Sequence, residues 1–62
     1  MKKEFIKAAT KGVVIKTNTF VTDRGRYTID ILAHEGTIYF YKSKDGKIVE
    51  CINLSEKANG EF

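Results

Sequence analysis

Three residues carry the types needed for covalent catalysis. Cys51, His34 and Asp30 match a thiol nucleophile, a base and an orienting carboxylate. No nucleophile motif surrounds Cys51, so the simpler reading is a small buried thiol, a histidine beside a turn and a solvated aspartate. Asp30 and Glu50 form a second candidate, a carboxylate pair for general acid–base work, with Tyr41 as a shared neighbour. A 62-residue chain has little room for a substrate beside such a pair, and solvated carboxylates accepting tyrosine hydrogen bonds explain it as well. The sequence contains no phosphate-cradling glycine loop, dinucleotide fingerprint, HExxH or EF-hand loop, and His34 has no cysteine or second histidine spaced for metal ligation. The expectation is therefore no enzyme, no cofactor and no metal.

Binding vocabulary is richer. Tyr27, Tyr39 and Tyr41 interleave with Arg24, Arg26, Lys42, Lys44 and Lys47, as rings and cations do where single-stranded nucleic acid stacks on a sheet. The charge is placed against this reading. The formal net charge is +3, and residues 1–12 alone hold Lys2, Lys3, Lys7 and Lys11 against Glu4. Residues 13–54 are nearly neutral, whereas phosphate contacts call for concentrated cations. Nucleic acid is thus the alternative partner, reached by the N-terminal lysines and a tyrosine-bearing strand.

These residues must be positioned by a very small scaffold. One domain fits in 62 residues, and a core of that size supplies only about 3–5 kcal/mol unless a staple adds to it. A single cysteine allows no internal disulfide, which leaves packing or oligomerisation. No apolar run approaches a membrane span, and Met1-Lys2-Lys3 resembles the charged start of a signal peptide without the apolar stretch that must follow. With one unpaired cysteine, these features point to a cytoplasmic protein without membrane contact.

Residues 2–11 read as a short helix, with Phe5, Ile6, Ala8 and Ala9 on one stripe and Gly12 as a left-handed stop. A further strand is the rival reading. From Val13 to Thr22 the period is two, with Asn18 marking a bulge or bend. Thr22 to Arg26 is a turn, Tyr27 to His34 a strand, Glu35-Gly36 a tight connection, Thr37 to Ser43 a strand, and Ile48 to Leu54 another. Asp45-Gly46 is the strongest hairpin signal. Residues 55–62 read as a helical turn or a frayed tail. There is no proline, so any edge strand lacks one of its usual guards. The expected fold is mainly β: a four- to five-stranded antiparallel meander with a short N-terminal helix, in one domain of residues 1–12 (helix or arm), 13–54 (sheet) and 55–62 (tail). A small SH3-like barrel is the alternative.

A two-residue Glu35-Gly36 turn pairs His34 with Thr37. It sorts Tyr27, Ile29, Ile31, Ala33, Ile38 and Phe40 onto one face, read as the core, and Leu32, Tyr39 and Tyr41 onto the other. For the last hairpin a three-residue Lys44-Asp45-Gly46 loop is preferred over a two-residue turn, because it pairs Ile38 with Ile52. Both faces carry large apolar groups, and one short helix covers only one. The expectation is a non-enzymatic protein-interaction module, a regulator or inhibitor of a larger protein. It would bind a protein partner or itself through Tyr39, Tyr41 and Leu32, with Arg24 and Arg26 at the turn tip contributing charge.

Overall fold

A computed structural model describes residues 1–60 of the chain. The order is α1 (Lys3–Lys11), β1 (Val13–Thr22), β2 (Gly25–His34), β3 (Thr37–Lys44), β4 (Lys47–Asn53) and α2 (Leu54–Gly60). The four strands form one antiparallel sheet in the order β1-β2-β3-β4. The sheet is an open meander rather than a barrel: β1 and β4 are its two edges. The tail is helical as far as Gly60, while Glu61 and Phe62 lie outside the described residues.

Backbone conformation at the turns explains the connectivity. Glu35 and Gly36 have φ of 50° and 77°, and Asp45 and Gly46 have 51° and 86°. Positive φ at both central positions is the type I′ geometry whose twist matches the flanking strands. The β3–β4 connection is therefore a two-residue turn, with Lys44 opposite Lys47, and the three-residue loop expected from the sequence is not formed. The extra residue lies in the strand instead. Ser43 pairs with Ile48 but Lys42 with Glu50, so a bulge at Val49 absorbs it. Beyond the bulge Phe40 faces Ile52, and Glu50 sits opposite Lys42 rather than beside Phe40. A second bulge falls at Ile15, between Val14 and Lys16, and Asn18 pairs regularly with Ile29.

Asp45 also ties one hairpin to another strand. Its backbone N–H donates to the Arg26 carbonyl at 2.8 Å, and its Oδ1 accepts from the Arg26 N–H at 3.0 Å. Gly25, at φ 141°, leaves room for that carboxylate: a β-carbon there would lie 2.9 Å from Asp45 Oδ2.

The core is Phe5, Ala8, Leu32, Tyr39 and Tyr41, with Cys51 packed against it. Helix α1 lies on the sheet face that carries Tyr39 and Tyr41. Only Phe5 and Ala8 of its expected stripe are buried; Ile6 is about half exposed (48%) and Ala9 is exposed. Gly12 closes the helix in extended conformation (φ −73°) rather than left-handed. Its N–H donates to the Ala8 carbonyl at 2.8 Å. A side chain there would collide with the Ala8 carbonyl and press on that of Ala33, so the glycine serves close approach of helix to sheet. At the same end of the sheet, on the β4 side, Asn53 Oδ1 accepts from the Glu56 N–H at 2.8 Å and caps α2, while Ser55 Oγ accepts from the Ile38 N–H at 3.0 Å.

Candidate interaction face

The face expected to be the core is the one left open. Phe40, Ile29, Ile31 and Ile38 are only half-buried. Leu32, Tyr39 and Tyr41, expected to form an exposed binding face, are 6%, 6% and 2% exposed beneath α1. The assignment of the two faces is thus reversed, and the reason lies in the hydroxyls and charges. Phe5 meets Tyr39 and Tyr41 edge-on, with centroids 5.6 and 6.2 Å away and interplanar angles of 78° and 89°. The Tyr41 hydroxyl donates to the Phe5 carbonyl. The Tyr39 hydroxyl and the Asn53 amide both donate to Glu4 Oε2, at 3.3 and 3.4 Å. The helix supplies an acceptor for each buried hydroxyl, as burial of a phenol requires. Burial, followed by the neighbouring Glu4 carboxylate, raises the Tyr39 pKa above its ordinary value. Tyr41 is raised by burial and then by Cys51, Tyr39 and Glu4.

The sequence-derived catalytic groups are kept apart. Asp30, Tyr41 and Cys51 share one row, but Asp30 Oδ1 accepts from the Thr17 hydroxyl at 2.7 Å, and Cys51 Sγ lies 3.3 Å from Met1 Sδ. His34 stands four residues along β2 from Asp30, about 13 Å at strand rise. Burial raises the Cys51 thiol, the opposite of what a nucleophile needs. Glu50 pairs with Lys42 on the far face from Asp30, so the two carboxylates flank no common space. Among the described residues no cluster of three His, Cys, Asp or Glu side chains could hold a metal ion. Arg24 and Arg26 are exposed near the β1–β2 turn. Arg26 lies six positions from Leu32 along β2, so the expected binding residues do not form one patch.

The open face is a grid of cross-strand rows. Nearest the Glu35-Gly36 turn stand Val13, Ala33 and Ile38, then Lys16, Ile31, Phe40 and Ile52. Next come Asn18, Ile29, Lys42 and Glu50, and finally Phe20, Tyr27, Lys44 and Lys47. Phe20 and Tyr27 stack at 5.7 Å and 22°, with Lys42 Nζ 5.3 Å from the Tyr27 centroid. The body of the protein is near neutral overall, but its lysines are sorted: Lys16, Lys42, Lys44 and Lys47 share the open face with a single carboxylate, Glu50. Sequence reasoning missed this face because it set a wider Thr22–Arg26 turn and a three-residue β3–β4 loop; with two-residue turns Lys16, Lys42, Lys44 and Lys47 fall together, and the bulge at Val49 adds Glu50.

The molecule so defined is an open four-stranded meander with α1 on one face and a half-buried apolar and cationic surface on the other. No protein-family model, curated protein or solved structure matches the chain. Among the described residues no helix is long and apolar enough to cross a membrane.

Proposed function

We propose that this chain is a non-enzymatic, cytoplasmic protein-interaction module, of the kind that regulates or inhibits a larger protein, and that the open sheet face is its protein-binding surface. One observation carries the reading: Ile29, Ile31, Ile38 and Phe40 form a contiguous, half-buried apolar surface on the side of the sheet away from α1. Such patches on small proteins mark interaction sites. A photoreactive phenylalanine analogue at position 40, irradiated in the native host, is expected to yield covalent protein adducts. The same group in place of Lys7, on the outer side of α1, should yield none. Absence of protein adducts from position 40 would falsify the reading.

A second reading is favoured by the stacked Phe20–Tyr27 pair beside the sorted lysines: a face for single-stranded nucleic acid. It requires affinity for an oligonucleotide that falls steeply with salt. Affinity that is weak or flat across a salt series removes it.

A further inference from the structure

The open face can be laid against a second copy of itself with no lysine opposite a lysine. We infer that a second copy of this chain covers it, the two sheets packing face to face about a two-fold axis that runs along the strands between β2 and β3. The inference rests on the interaction reading above and names its partner.

Three observations lead there. The first is area. A folded monomer of 7.0 kDa exposes about 4,000 Å² by size scaling, and this chain exposes 4726 Å², an excess of about 700 Å². One side of a standard protein interface covers about 800 Å². The second is stability. Among the described residues five are buried and make up the core, the largest of them aromatic rings that keep a few per cent of their surface exposed. The lone thiol forms no disulfide, and chains this small ordinarily need a staple. A second copy is present wherever the chain is made, so it serves as a permanent cover.

The third is the distribution of residue types across the grid. The proposed axis lays β1 over the partner's β4 and β2 over the partner's β3. Within each row, the half carried by β1 and β2 then meets the half carried by β3 and β4. Ala33 faces Ile38, a small side chain against a large one, and Ile31 faces Phe40. Asn18 meets Glu50, an amide donor against a carboxylate. Phe20 and Tyr27 meet Lys47 and Lys44, rings against cations. Lys16, on edge strand β1, runs its stem over Ile52 and keeps its ammonium at the rim. Lys42 lies opposite Ile29 and holds its ammonium 5.3 Å from the Tyr27 centroid of its own chain, so every lysine of the face lies opposite a ring or an aliphatic side chain and none opposite another lysine. The packing is that of an aligned β-sandwich with an isologous interface.

Sedimentation of the purified chain tests this without any variant. The expected mass is twice 7.0 kDa, falling to the monomer on dilution, and the urea midpoint should rise with protein concentration. Ile31→Lys and Phe40→Lys place a charge at the centre of the interface and should each abolish the dimer at concentrations where the parent is fully dimeric. If a variant fails to fold, the parent's mass and its concentration-dependent midpoint still decide the matter. A folded parent that is monomeric at every concentration overturns the inference, as does a dimer that survives both substitutions, which would place the contact at an edge strand. If the parent is monomeric and position 40 still crosslinks to a different protein, the interaction reading stands and only the identity of the partner is wrong. If the parent is monomeric and position 40 crosslinks to nothing, both fall.

Discussion

Phe5 is the residue on which the fold turns. Its ring lies edge-on to both core tyrosines, and its carbonyl accepts the Tyr41 hydroxyl. Phe5→Ala should cost about 3–5 kcal/mol, as much as the whole stability of a core this size. A urea titration followed by circular dichroism should find the variant largely unfolded before urea is added. Phe40→Ala, on the open face, should cost the isolated chain less. The tyrosines also set a limit at high pH. Both have pKa values raised in the fold, chiefly by burial, above the 10.0 of a free phenol. The folded state holds these protons more tightly than the unfolded state. Their contribution is therefore complete below pH 10.0 and is lost as pH rises through the folded values. Tyr41→Phe removes one of the two ionisations, so its stability should decline less steeply above that pH than the parent's. Equal slopes in the two proteins would contradict the assignment.

At the scale of elements, the hairpins were legible and the side chosen by the helix was not. Glu35-Gly36 predicts a two-residue turn, and the whole β2–β3 register follows from it, including Leu32 opposite Tyr39 and Asp30 opposite Tyr41. Asp45-Gly46 marks the place of its turn, but the three-residue loop preferred for it gives way to a two-residue turn with the extra residue at Val49. The bulges at Ile15 and Val49 carry no residue signature: both are β-branched, the type that also fills regular strand positions. The turns alone place Lys16 and Lys47 beside Lys42 and Lys44; the bulge at Val49 decides the side of Glu50 and Ile52, and the one at Ile15 that of Val13 and Val14. With turns and bulges together, five charged residues fall on the open face, a poor bed for a helix. The other discriminating signal is Glu4, whose carboxylate accepts from Tyr39 and Asn53 together. It lies 35 positions from Tyr39 in the chain, so periodicity does not reach it. The sequence thus groups Leu32, Tyr39 and Tyr41 correctly and places them on the wrong side of the sheet. One tie between elements is open to direct measurement. Asp45→Ala removes the acceptor of the Arg26 N–H and should cost about 1–2 kcal/mol, with faster amide exchange at Arg26. Asp45→Asn keeps an acceptor and tolerates the positive φ, so it should recover most of the loss.

The whole molecule is a slab of 35 × 27 × 21 Å. Its radius of gyration is 12.0 Å, against about 10.6 Å for a compact domain of this length. A slab one sheet thick has a rim as well as a face, and all ten residues of β1 on that rim are exposed. Within β1, Lys16 is the only charged residue, and Ile15 makes the only interruption in pairing. A bare ten-residue edge is a template for further strands, and growth along it has no natural end. In a crowded cell or a concentrated stock, whether the protein stays in solution or turns into fibre then depends on one ammonium group and one kink. Lys16→Val removes the charge without touching the buried core. Such a variant should fold at first and then assemble on standing into thioflavin-positive filaments, while the parent stays clear under the same conditions. If it remains clear as well, the kink at Ile15 is guard enough by itself.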